Sequence, residues 1–238
     1  MFARRRGQPE GRAWVMPFSA LALTVAGYGL AMAYVEAAVV VDLNGALDQQ
    51  VGALFPLPPA MTVGPLVLIE AGREAATLVM LVAVGIMAGR SAFERLSWSA
   101  VAFGTWDIGY YAWLNVFTGW PPSLGAWDVL LLIPVPWTGP VWAPVAVSVA
   151  LVGFGLLVAR RLRAGGTVTV TPWHVAAGIG GGLLVILSFT LDAPRIMAGG
   201  VPEAYAWPLL LAGLALAAGA VLDSLRVPGR PILAPRLP

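Results

Sequence analysis

Cysteine is missing from this 238-residue chain, lysine is missing as well, and histidine occurs once, at His174. Without thiols there is no disulfide, no thiolate zinc site and no cysteine-held iron–sulfur cluster, and one imidazole cannot supply both axial ligands of a bis-histidine haem. Without lysine no Schiff base can form, which removes retinal- and pyridoxal-type chemistry. All fourteen basic residues are therefore Arg. Charge as a whole is scarce, at 11% of residues against roughly a quarter in an ordinary soluble domain.

Apolar side chains fill the space, at 59% of the chain. A soluble fold must cover its surface with polar groups, so an excess of this size has to face lipid. Crossing roughly 30 Å of hydrocarbon as a helix takes about 20 apolar residues. Six windows qualify: 18–41, 64–88, 97–117, 141–159, 173–191 and 205–225. The chain reads as a single all-α integral membrane domain, a bundle of six transmembrane helices with tails at 1–13 and 226–238.

Arginine sets the orientation. With the N-terminus inside, Arg4, Arg5, Arg6, Arg12, Arg90, Arg95, Arg160, Arg161, Arg163, Arg226, Arg230 and Arg236 all fall in cytoplasmic segments, leaving Arg195 in an outer loop and Arg73 in a span. That asymmetry predicts cytoplasmic N- and C-termini in the plasma (inner) membrane. The Arg-rich start and Ala31-Met32-Ala33 imitate a secretory signal and its cleavage site, but the apolar run continues to Val41, which favours a retained first helix. Trp14, Trp98 and Trp173 then fall near inner span ends. Trp120, Trp127, Trp137, Trp142 and Trp207 fall near outer ones.

Between the third and fourth spans, residues 120–140 hold Pro121, Pro122, Pro134, Pro136 and Pro140 around an apolar run too short to cross. A short proline-rich re-entrant or interfacial segment on the outer side is expected there. Small residues of the fifth span, Gly178, Gly180, Gly181 and Gly182, and of the sixth, Gly213, Ala217 and Gly219, predict faces where helices approach closely. His174 reads as an interfacial side chain, and Asp192 is placed to pair with Arg195.

The informative residues are carboxylates inside the spans, where a charge near the bilayer centre costs about 2.5–3.5 kcal/mol on the insertion scale. They are Glu36 in the first span, Glu70 and Glu74 in the second and Asp107 in the third, with Arg73 among them. Glu70, Arg73, Glu74 and Thr77 recur at i, i+3, i+4 and i+7 and form one stripe that must face the bundle. Asp107, Tyr110 and Tyr111 share a face of the third span, with Gly104 one turn earlier. At about 1.5 Å per residue, Glu36 and Glu70 lie about 8–9 Å below the outer boundary, and Glu74 and Asp107 about 15 Å below it.

Arg73 neutralises one carboxylate and three are left over. Bound protons, a hard cation held by oxygen ligands, or a water-filled vestibule would compensate them. A buried acid flanked by Trp106, Tyr110, Tyr111 and Trp113 would also suit a general acid acting on a lipid or isoprenoid, with Asp107, Glu70 or Glu74 as catalytic groups. Asp128 caps the site if the proline-rich segment folds inward. The plainest alternative has Arg73 bridging Glu70 or Glu74 to Asp107 as a staple between helices.

The leading expectation is cation or proton binding in the outer half of the bundle, serving transport or coupling. The alternatives are a membrane-embedded acid–base enzyme and an accessory subunit of a larger membrane complex, the short loops leaving other membrane subunits as the natural protein partners beside the lipid bilayer. No Gly-rich phosphate cradle or nucleophile motif is present, so neither a nucleotide nor a nucleic acid is an expected ligand.

Overall fold

The computed structural model describes residues 16–46, 48, 50–57 and 65–226. Arg4, Arg5, Arg6, Arg12, Trp14, Arg230 and Arg236 lie outside the described residues. Each apolar window becomes a helix: α1 (Phe18–Ala46), α2 (Pro65–Ala88), α3 (Ala92–Thr118), α4 (Trp142–Arg163), α5 (Pro172–Thr190) and α7 (Trp207–Arg226). A single turn and a half, α6 (Ala193–Met197), follows α5. Among the described residues, four helical stretches are long and apolar enough to cross a membrane: Phe18–Ala46, Trp142–Arg163, Pro172–Met197 and Trp207–Arg226. The helices α2 and α3, of 24 and 27 residues, carry the buried Glu70, Glu74, Glu94 and Asp107.

The distribution of side chains is inverted relative to a soluble protein. Glu36, Glu70, Glu74 and Asp107 are buried, while Leu23, Leu68, Val79, Met87 and Val116 stand exposed on the helix surfaces. Water would drive the opposite arrangement, whereas hydrocarbon outside the bundle stabilises this one. Trp142, Trp173 and Trp207 are exposed at helix ends, while Trp98 and Trp120 are packed inside.

Helix α3 is the centre of the bundle and packs along α1, α2 and α4, whereas α5 and α7 form a pair joined to the rest mainly through α4. Its start is set by Ser91, whose hydroxyl accepts the Glu94 N–H at 3.2 Å, and its end by Gly119 in the left-handed region. Thr171 caps α5 in a capping box with His174, with Pro172 at the first helical position. The expected glycine contact is present: a Cβ on Gly181 would stand 2.7 Å from the Gly213 carbonyl oxygen, and one on Gly213 2.7 Å from that of Gly181. The two backbones touch because neither residue has a side chain.

Residues 120–140 fold as a β-hairpin. Strands β1 (Trp127–Leu131) and β2 (Trp137–Pro140) pair antiparallel, with a register irregularity between Val129 and Leu131. The hairpin closes one end of the bundle, hereafter the hairpin end, over a cluster of Ala37, Tyr111, Leu114, Trp120 and Val141. Proline at both rims and in the turn limits how far the strands can extend.

Candidate functional site

The stripe on α2 faces inward as its spacing requires, and its members divide their partners. The Arg73 guanidinium grips Glu70 with two N–H groups, Nε–Oε2 at 2.9 Å, and reaches Glu36 of α1 with Nη1. Thr77 donates to the second oxygen of Glu36 at 3.4 Å. One arginine thus serves two carboxylates on two helices, a planar fork matched to a carboxylate on one side and a single contact on the other. The staple to Asp107 is not formed, because Arg73 is engaged by Glu36, which stands at the facing level of α1.

Glu74 takes its hydrogen bond from the hairpin. The Leu132 N–H, in the turn just after β1, donates to both carboxylate oxygens at 2.9 Å. Glu74 lies nine residues along α2 from Pro65, a depth of about 14 Å at the helical rise. The hairpin turn therefore dips well below the ends of the helices it covers. Glu74 remains close enough to Glu36, Glu70 and Arg73 to interact with them electrostatically.

Asp107 is held apart from that group by α4. Its Oδ2 accepts the Ser148 hydroxyl at 2.8 Å. Gly104, one turn earlier on α3, makes the approach possible, since a Cβ there would lie 2.6 Å from the Ser148 carbonyl oxygen. Trp106 is buried beside it, its indole N–H without a partner among the described residues. One turn further along α3, the Tyr111 hydroxyl donates to Asp128 of β1 at 2.9 Å. Tyr110 packs edge-on against Tyr111. A cavity of about 310 Å³ opens beside Tyr111, lined also by Asn115 and Ser123.

Asp128, expected to cap the site only if the proline-rich segment folds inward, thus meets the Tyr111 side of the α3 face. Its Oδ1 also accepts the Val129 N–H at 2.8 Å. Burial pushes its carboxyl up to about 6, against the downward pull of the Tyr111 hydroxyl and the Val129 N–H. The folded protein thus holds this proton more tightly than the unfolded chain, in which Asp titrates near about 3.9. The associated stability is complete below about pH 4 and is lost as pH rises through about 6. In detergent, the thermal midpoint of wild type relative to Asp128→Asn should fall over that interval. A constant difference between the two proteins would refute it.

Asp107, Glu74 and Asp128 are 7%, 5% and 3% exposed. Among the described residues none of the three has an ion-pair partner. No three carboxylate or imidazole side chains among the described residues gather closely enough to hold a metal ion.

Three contacts were not anticipated from the sequence. Ser148 is one, although a lone hydroxyl in the apolar run of α4 was a usable signal. The Leu132 N–H is another, and a backbone donor leaves no trace in composition. The third is a network at the end of the bundle opposite the hairpin. There Glu94 accepts the Arg90 N–H at 3.0 Å, the Trp98 indole N–H at 3.4 Å and the Arg163 guanidinium. Arg163 also donates to the carbonyls of Met16 at 3.3 Å and Ala88 at 3.1 Å and lies 5.9 Å over the Trp98 ring. The Ser91-x-x-Glu94 spacing was its signature.

Elsewhere, His174 links α5 to α7 through Nε2 and Asp223 at 3.0 Å. Its Nδ1 faces the Thr171 N–H at 3.0 Å, which can only donate, so Nε2 carries the proton. Arg195 pairs with Glu203 and not with Asp192. The Asp192 side chain, immediately before α6, turns inward instead.

Comparison of the chain with protein-family models, with characterised proteins and with solved structures finds no match.

Proposed function

We propose that this protein crosses the membrane six times with both ends cytoplasmic, and that Glu74 and Asp107, with Asp128 at the outer mouth, bind exchangeable protons that serve transport or coupling. The hairpin end is then the outer end and the Arg163 network the inner one, in keeping with the arginine asymmetry. One observation carries the reading: three carboxylates are buried, and their partners are neutral donors, namely a backbone N–H, a serine hydroxyl and a tyrosine hydroxyl. A buried carboxylate without a counter-charge is stabilised by a proton far more readily than by isolated neutral donors.

The division of the donors among separate partners favours protons over a hard cation, which would draw several oxygens to one point. Arg73 takes the structural part by bridging Glu36 and Glu70, which share its single positive charge, and leaves Glu74 beside them as the exchangeable group. The cavity beside Tyr111 borders the residue that donates to Asp128, and Asp107 lies one helical turn beneath.

Infrared difference spectroscopy of the reconstituted protein tests this directly. As pH is scanned, wild type should show protonated-carboxyl absorption that disappears on deprotonation. Glu74→Gln and Asp107→Asn should each remove a distinct part of it, while both variants keep the wild-type melting profile in detergent. Spectra unchanged by both substitutions would defeat the proposal.

A further inference from the structure

A second polar cavity lies at the hairpin end, away from the carboxylates already described. It is bounded by β1, β2, the end of α5, Asp192 and the segment entering α7, and its walls include Trp127, Thr138, Ser188, Phe189, Asp192 and Tyr205. It leaves about 10 Å³ for the centre of a water-sized group, which is room for one, and it is not sealed.

Two of its polar atoms have no hydrogen-bond partner among the described residues, the Thr138 hydroxyl oxygen and Asp192 Oδ2. Thr138 is only 2% exposed. Asp192 occupies the position before α6 from which side chains commonly cap, yet it makes no cap hydrogen bond.

The hydrogens around the cavity can be assigned. Ser188 spends its only hydroxyl hydrogen on the Val185 carbonyl at 2.6 Å, so at the 2.9 Å contact between Ser188 and Tyr205 the tyrosine must be the donor. Tyr205 is left with lone pairs. The cavity therefore presents three acceptors, one of them anionic: Asp192 Oδ2, the Thr138 oxygen and the Tyr205 oxygen. Around them stand aromatic rings, with Tyr205 tilted against Phe189 at 5.6 Å and edge-on to Trp127 at 6.2 Å between centroids.

The geometry points to a binding site for a primary ammonium group. Such a group brings three N–H donors to three acceptors, a positive charge to an unpaired carboxylate oxygen, and a cation to aromatic walls. It is also the size of a water, which the cavity admits. A trimethylammonium group is too large and has no N–H to donate. The carbon bearing the ammonium extends through the open side. Ethanolamine-type headgroups of lipids and small free amines share this chemistry.

Isothermal titration and thermal unfolding of the detergent-purified full chain with ethylammonium chloride provide the test, with tetramethylammonium chloride and sodium chloride as matched controls. Ethylammonium alone should bind and raise the unfolding midpoint, and Asp192→Asn should weaken its binding by about tenfold or more. An equal response to either control salt, no response at all, or undiminished binding to Asp192→Asn would overturn the assignment. Should Asp192→Asn fail to fold, Thr138→Val takes its place, and affinity unchanged in that variant overturns it equally.

The source is read in nanodiscs of phosphatidylglycerol mixed with either phosphatidylethanolamine or phosphatidylcholine. A lipid headgroup as the occupant predicts that ethylammonium binds only in the phosphatidylcholine discs. A free amine predicts equal binding in both. Absence of binding in the phosphatidylcholine discs counts against the site itself.

Discussion

Arg73→Ala should lower the stability of the protein by about 3–5 kcal/mol, the range for breaking a buried ion pair from one side. The guanidinium is 21% exposed and its two partners 11% each, so water offsets part of the loss and the lower half of that range is expected. The cause is the pair of carboxylates left behind. Glu36 and Glu70 would face one another across α1 and α2 with Thr77 as their remaining donor. The prediction therefore has a second limb: Glu36→Gln with Glu70→Gln should restore most of the stability lost in Arg73→Ala. Thermal unfolding in detergent, followed by intrinsic tryptophan fluorescence, checks both. If Arg73→Ala melts with wild type, or the triple variant melts with Arg73→Ala, the bridging role assigned to Arg73 is wrong.

Arg163→Ala should be as damaging, again about 3–5 kcal/mol, because Glu94 is more deeply buried than the partners of Arg73. Four contacts go at once: the ion pair, two carbonyl hydrogen bonds and the stacking over Trp98. The two carbonyls belong to Met16, just ahead of α1, and Ala88, the last residue of α2, so those helix ends should fray together. Hydrogen exchange by mass spectrometry should report faster exchange at both. Arg163→Lys should recover only a part, since an ammonium cannot span three acceptors in one plane. Full recovery by lysine, or exchange unchanged at both helix ends, would contradict the account.

How much of this could be read from the residues follows from the range of the forces involved. The six apolar windows became helices within a few residues of their expected limits, because length and hydropathy act locally. The small residues of the fifth and sixth spans marked a helix contact without saying which of them meet: Gly181 and Gly213 do, while a Cβ on Gly178, Gly182 or Gly219 would meet nothing within 4 Å. Helical spacing also placed Glu70, Arg73, Glu74 and Thr77 on a single face.

What periodicity does not contain is the rotation of one helix against the next. Asp107 could have met the α2 stripe through Arg73, but Gly104 brings α3 close to α4, where Asp107 takes the Ser148 hydroxyl. Glu36 took the guanidinium instead. The hairpin was the larger gap, since strand pairing such as that of Trp127 with Pro140 depends on contacts that no local pattern announces, and the prolines pointed to irregularity without specifying its form. Arg195 shows the same limit in miniature. Asp192, three residues away, was the obvious partner on sequence distance, yet Glu203 reaches it from the other side of the connecting segment.

The hairpin also constrains the order in which the molecule is built. Two strands of five and four residues cannot persist on their own. They need α3 and α4 already standing on either side, and only then can the turn descend to Glu74 and β1 present Asp128 to Tyr111. A chain halted after Thr118 would own Glu36, Glu70, Arg73, Glu74 and Asp107 without a roof over any of them. The shelter over these acids is thus a product of late assembly, complete only once the fourth helix arrives.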